Sequence, residues 1–313
     1  MAMLAGQRVL MDDSWRGHLI GGGELRLQDW FVPVLYQEQI DPQLFTRLLP
    51  ERVRHLQAQG RKLALGDVPE RPDHDFVGRS RELLAVERLL HLQGETSQNY
   101  VVIRGTGGAG KTTLAAECAR WLVQTGRFDR VAFVSLEEYS YDMGVLDRIE
   151  QQLLPGDDYT VALYGSDMAK ALQPVVRALR DTPTVIVLDN MESVLPLPTD
   201  DGTNHLTNTA LNDILTLCTA LLDADPNTRI LFTSREWLPA PFNHASRRVE
   251  LGALRPPDAI KLVENVMRGQ GWRPKSSDAG NTPQAVRELV DAVGCHARAL
   301  VLLAREIAQY DSE

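Results

Sequence analysis

The chain has 313 residues, 43% of them hydrophobic and 24% charged, which is length enough for two or three domains with buried cores and excludes a stapled peptide or wholesale disorder. Lys plus Arg number 33 against 42 Asp plus Glu, a formal charge of −9, so a general electrostatic grip on nucleic acid is not expected. Cys118, Cys218 and Cys295 stand far apart with no C-x-x-C pairing, which argues against a disulfide framework or a zinc site and suits a reducing compartment.

No basic n-region leads into an apolar stretch at the N-terminus, and no segment approaches the roughly 18 apolar residues of a membrane span. A cytoplasmic location without membrane contact is the expectation. The sequence stops soon after a helical pattern, without a glycine stop or polar tail, and reads as a segment of a longer protein.

Residues 1–65 form a mixed N-terminal region with a glycine triplet, Gly21, Gly22 and Gly23, and a β-prone aromatic run over residues 30–36. The Pro- and Asp-rich segment 66–75, GDVPERPDHD, reads as a linker. Over 76–247 strands and helices alternate. Residues 100–104 form an apolar strand entering a glycine loop, after which Leu114, Cys118 and Leu122 recur at helical spacing. RVAFVSL (130–136), TVIVLD (184–189) and TRILFTS (228–234) are further β-branched runs. Leu211, Ile214, Leu215, Cys218, Leu221 and Leu222 make a helical stripe between the last two. Buried parallel strands with crossover helices are the natural reading. From 248 to 313 three helical patterns follow, at 256–267, 283–293 and 296–308, with Gly294 placed as a C-cap. The fold class expected is α/β, a P-loop NTPase with a parallel sheet flanked by helices and a small C-terminal helical subdomain.

Residues 105–113, GTGGAGKTT, match G-x-x-x-x-G-K-[ST] between an expected strand and an expected helix, the context that the motif requires. Polyphosphate carries several negative charges. A cradle of Gly105, Thr106, Gly107, Gly108, Ala109, Gly110, Lys111, Thr112 and Thr113 would meet them with inward N–H groups and a helix N-terminus. Lys111 would place an ammonium on the β- and γ-phosphates, and the Thr112 hydroxyl would ligate Mg²⁺. Asp189, at the end of an apolar strand, would be the acidic partner of the metal, a Walker B element. The next residue is Asn190, and a neutral amide is no general base. Glu192 is the nearby carboxylate, so slow hydrolysis with Glu192 as base is expected. The strand 229–234 delivers Ser234 and Arg235 to the same sheet edge, where ligands of open α/β sheets bind. Arg235 could there sense the γ-phosphate.

Together these elements resemble the STAND ATPases, the group containing NB-ARC and NACHT proteins. Phe76, Val77, Gly78 and Arg79 with Glu82 resemble their hhGRxxE signature, and VLDNME (187–192), LFTSRE (231–236) and VELGALRPPDAIKL (249–262) follow the NB-ARC order. The resemblance spans residue 76 to the C-terminus. It implies Val77 and Gly78 against adenine, Arg79 close to the nucleotide, and Arg235 as the sensor 1 arginine. GCHARAL (294–300) stands where the family has a glycine followed by a proline that packs on adenine. Ala297 occupies that proline's place, which leaves the His296 neighbourhood as a wall of the site. The family's winged helix and any sensor repeats would begin beyond residue 313. RLQDWFVPVLYQEQIDPQLF (26–45) is similar to the tail that follows CHAT domains, caspase-like modules. His18 and His55 precede any cysteine, so no protease dyad is encoded there.

The function that the resemblance implies is a signal-transducing switch binding ATP or ADP with Mg²⁺, self-associating in the ATP state, and controlling an attached effector in bacterial defence or regulated cell death. A continuously cycling AAA-type motor or loader is the alternative, against which Asn190 argues mildly. A GTPase lacks its N-K-x-D motif here. A DNA-binding regulator lacks a basic helix.

Overall fold

The computed structural model describes residues 15–18, 24–26, 64–91, 98–155, 164, 167–195, 205–272 and 284–310. The chain divides into two compact units, Met1–Lys62 with Gln124–Arg127, and Leu63–Val123 with Phe128–Glu313. In the first, β1 (Trp15–His18) pairs antiparallel with β2 (Glu24–Arg26). The glycine triplet, the aromatic run 30–36 and nearly all of the CHAT-like segment 26–45 lie outside the described residues.

The second unit is built on five parallel strands: β3 (Tyr100–Gly105), β4 (Arg130–Ser135), β5 (Thr184–Asp189), β6 (Arg229–Ser234) and β7 (Arg248–Leu251), in the order β4-β5-β6-β3-β7. It has a P-loop NTPase fold. β6 lies between the glycine-loop strand β3 and the Asp189 strand β5, so three strand ends converge on one edge. Because side chains alternate along a strand, each strand feeds both faces. Tyr100, Val102, Ile186, Leu188, Ile230 and Phe232 join one core cluster, while Val101, Ile103, Val185, Val187 and Leu231 join the other. Two buried faces explain the continuous apolar runs, since each Val, Leu or Ile so buried contributes about 1.5–3 kcal/mol.

Helices cover both faces. α1 (Ser80–His91) and α2 (Lys111–Gln124) pack on one, through Leu83, Val86, Leu90, Leu114, Cys118 and Leu122. α3 (Asp142–Leu153), α4 (Met168–Asp181) and α5 (His205–Ala224) pack on the other. Sequence reading anticipates α5 but not α3 or α4. Their stripes are short, and α4 carries Pro174 in its interior. The Asp167 side chain caps α4 by accepting from the Lys170 N–H at 3.2 Å.

The sheet continues past the boundary expected at residue 247. β7 is four residues long and alternates, with Val249 and Leu251 buried and Glu250 exposed, which is too brief a pattern to register as a strand. Beyond it α6 (Pro256–Gly269), α7 (Gln284–Val293) and α8 (Ala297–Tyr310) form the expected helical module. Its core includes Leu262, Val263, Val266, Val286, Val290, Leu300 and Ala304. Gly294, at φ 66°, follows the end of α7, and the Leu254 N–H donates to the Cys295 carbonyl at 3.0 Å.

Along β4, the Gln152 amide pairs with the backbone of Phe133, accepting from its N–H at 2.8 Å and donating to its carbonyl at 3.0 Å. The same Gln152 oxygen accepts from the Asp67 N–H at 2.9 Å. Gly66, at φ 53°, lies where a Cβ would come within 2.8 Å of the Val131 carbonyl oxygen.

Candidate nucleotide site

The glycine loop opens directly from β3 into α2, and a cavity of about 500 Å³ lies over it. Lys111 is buried, and its Nζ donates to the Gly105 carbonyl at 3.0 Å and the Thr106 carbonyl at 3.4 Å. Thr112 Oγ1 donates to the Asp189 carboxylate, 3.0 and 2.9 Å from its two oxygens. Thr233, arriving on β6, donates its hydroxyl to Asp189 Oδ1 at 2.5 Å and accepts the Asn190 N–H at 2.9 Å. Burial pushes the Asp189 carboxyl above the usual aspartate range, against the opposing pull of the Thr233 and Thr112 hydroxyls.

These residues fit a magnesium ion. A buried carboxylate whose hydrogen-bond partners are two neutral hydroxyls is short of positive charge, which a divalent cation would supply. Among the described residues no group of three His, Cys, Asp or Glu could hold a metal, so the remaining ligands would be phosphate oxygens and water, the usual arrangement for Mg²⁺.

Glu192 lies in a short 3₁₀ turn after β5 (Met191–Ser193) and is surrounded by donors. Its Oε1 is 2.9 Å from Arg235 Nε and 3.5 Å from Lys111 Nζ, and its Oε2 accepts the Arg235 N–H at 3.2 Å. Asn190, at φ 66°, stands between Glu192 and Glu137. With its amide oxygen accepting from Ser193 Oγ at 2.9 Å, its Nδ2 reaches Glu192 Oε1 at 2.9 Å and Oε2 at 3.3 Å.

The other end of the cavity is apolar, lined by Phe76, Val77, Leu254, Leu262, Ala297 and Val301, with His74 beside them. Burial, seconded by the charge of Arg305, holds the His74 imidazole below the usual histidine range. Arg79 lines the cavity but is itself buried and committed. Its guanidinium donates to the carbonyls of Ala109 at 3.2 Å, Gly252 at 2.6 Å and Ala253 at 3.4 Å, and to Glu82 at 3.1 Å. It thus ties the glycine loop to the exit from β7. Gly78 does not line the cavity and lies against the Asp258 side chain.

The C-terminal module reaches the loop directly. The Arg298 N–H donates to the Gly108 carbonyl at 3.1 Å. His296 Nδ1 accepts from the Ala299 N–H at 3.4 Å, which leaves Nε2 protonated to donate to the Gly107 carbonyl at 2.9 Å. His296 therefore grips the loop from outside the cavity lining, while Arg298 joins that lining.

The structure brings together Val77, Arg79, the residues from Gly107 to Thr113, Asp189, Glu192 and Arg235 around one cavity, while Gly105, Thr106, Gly78 and His296 lie just outside its wall. Among the residues at the cavity that are missing from the sequence reading are Glu137, Thr233 and Arg298. Thr233 could have been found by period, because Ser234 is the next residue on β6 and faces the other way. The Ser234 hydroxyl instead accepts the Glu236 N–H at 3.1 Å.

The family profile described as AAA ATPase domain matches residues 75–232, half of the chain, from the linker's last residue to within β6. The chain belongs to the AAA ATPase domain family. The match takes in the glycine loop, Asp189 and Glu192. Solved structures similar to this AAA chain include domain III of the replication initiation protein DnaA from Thermotoga maritima, with TM-score 0.42 and 13% identity over 76% of this chain and 98% of that one. A STAND protein with a tetratricopeptide repeat sensor from Pyrococcus horikoshii gives TM-score 0.39 and 18% identity over 71% of this chain and 28% of that one. Drosophila ORC bound to DNA gives 0.49 and 15% over 89% and 67%. The AAA chain thus spans well under half of the STAND protein's length. No curated protein matches it.

Proposed function

We propose that this AAA domain is a nucleotide-dependent switch of the STAND type, related to NB-ARC proteins, that binds ATP and ADP and controls self-association of a longer protein carrying an effector. Bacterial defence or regulated cell death is the setting that the resemblance favours, with a CHAT-like module as the effector. The observation that carries this reading is the seating of α8 on the phosphate loop, through Arg298 to Gly108 and His296 to Gly107. A helical module hydrogen-bonded to the very carbonyls beside the phosphates senses what occupies them. A ligand shifts such an equilibrium only by its differential affinity for two arrangements.

In this reading the loop amides from Gly107 to Thr113 and the α2 N-terminus bind the phosphates, Lys111 neutralises the β- and γ-oxygens, and Val77 meets the base at the apolar end. Thr112 and Asp189 would hold Mg²⁺, which when bound neutralises charge on the phosphates. Arg235, held at Nε by Glu192 Oε1 at 2.9 Å, turns its terminal N–H groups to the γ-phosphate. Hydrolysis resets the switch and is slow.

The test compares hydrogen exchange of residues 296–308 and the sedimentation of the protein with Mg·ATP and with Mg·ADP. Slower exchange at α8 in one nucleotide than in the other, by about tenfold or more, is expected. Identical exchange and identical sedimentation in both would overturn the switch reading while leaving nucleotide binding itself intact.

A further inference from the structure

Many P-loop ATPases place a carboxylate after the Walker B aspartate to take a proton from the attacking water, and Asn190 is not one. Glu192, the nearest candidate by sequence, has its oxygens already engaged by Arg235 Nε, the Arg235 N–H, Lys111 and Asn190. A carboxylate so engaged positions its partners rather than accepting a further proton.

A second carboxylate stands on the neighbouring strand. β4 runs parallel to β5 with Ser135 opposite Asp189, and the Leu136 N–H continues the ladder to the Asp189 carbonyl at 2.9 Å. The next residue, Glu137, is thereby delivered beside Asn190. It lines the cavity and is exposed to it. Its Oε2 lies 3.4 Å from the Asn190 amide, and among the described residues no cation pairs with it. The Asn190 side chain has one NH₂ group between two carboxylates. Turned to Glu192, where the contact is 2.9 Å, it leaves Glu137 facing the amide oxygen and unheld.

We infer that Glu137 is the general base for ATP hydrolysis, supplied by the strand beside the one that carries Asp189. The inference rests on the proposed ATPase reading. The water oxygen bonds to the γ-phosphorus, its proton passes to a Glu137 carboxylate oxygen, and the bond from the γ-phosphorus to the β–γ bridging oxygen breaks to release ADP. The Glu137 proton then leaves with the phosphate or to solvent.

The experiment is single-turnover hydrolysis of Mg·ATP by the 313-residue protein, with ATP affinity measured separately by calorimetry. Glu137→Gln should slow the chemical step about 100-fold or more while ATP affinity stays within about twofold, less than a factor of ten. It should also erase the acid limb of the pH–rate profile, which Glu192→Gln should retain at whatever rate it has. Glu138→Gln, an exposed neighbour outside the cavity lining, should behave as the unaltered protein. Unaltered turnover in Glu137→Gln, or tightly bound ATP that the unaltered protein never hydrolyses, overturns the assignment. Failure to bind any nucleotide removes the ATPase reading, and the assignment with it, and is told apart by calorimetry alone.

Discussion

The backbone N–H of Arg298 donates to the carbonyl of Gly108 at 3.1 Å, so the last helix of the chain is hydrogen-bonded to the phosphate loop across 190 positions of sequence. That bond requires the two backbones to approach closely. Gly108 has φ 76°, and a Cβ there would stand 2.7 Å from Arg298 Cβ and 2.8 Å from His296 Cε1.

Gly108→Ala should therefore act at a distance. The left-handed conformation costs an alanine about 1–2 kcal/mol, and the clash adds to it by lifting α8. Faster amide exchange over residues 297–308 and a loss of nucleotide affinity of about tenfold or more are expected. Exchange of α8 as slow as in the unaltered protein would show that the loop and helix do not depend on each other.

Thr233→Val keeps the shape of a fully buried side chain and removes its hydroxyl. Asp189 loses a donor and the Asn190 N–H loses its acceptor. A destabilisation of about 1–3 kcal/mol is expected in denaturant titration, with Thr233→Ser close to the unaltered protein. A loss in Thr233→Ser with none in Thr233→Val would mean that packing of the methyl, rather than the hydroxyl, matters.

Acid should weaken the fold through His74. Its pKa is lowered in the folded protein, by burial first and by Arg305 second, so the unfolded chain binds more protons wherever the pH lies between the folded value and about 6.5. Stability contributed by the neutral ring is complete above the unfolded pKa and is lost as pH falls through it toward the folded one. The drop in Tm between about pH 7.5 and about pH 5.5 should shrink in His74→Gln. An unchanged drop would place the acid sensitivity elsewhere.

What the sequence makes legible is what is contiguous. The loop residues 105–113, Asp189 at the end of an apolar run and Arg235 at the end of another are each fixed by their immediate neighbours, and β3, β5 and β6 bring them together. Glu137 and Arg298 are a different matter. Glu137 reaches the cavity because β4 is paired with β5 in one register, and Arg298 because a separate helical core docks its first turn on the loop. Neither register nor docking is written in local periodicity. Arg79 shows the converse: its place beside the loop is legible, but two of its three backbone carbonyl partners, Gly252 and Ala253, lie 173 and 174 positions away.

The Gln152 amide imitates a passing strand at Phe133, while Gly66 crowds the Val131 carbonyl. Unpaired backbone along β4 would otherwise be a template for another chain. With the Phe133 N–H and carbonyl answered by Gln152, the middle of this border offers a visiting strand no backbone partner there. A side-chain amide thus does at the centre of β4 what a neighbouring strand does elsewhere in the sheet, and it sets a break in any ladder that another copy could start along this side.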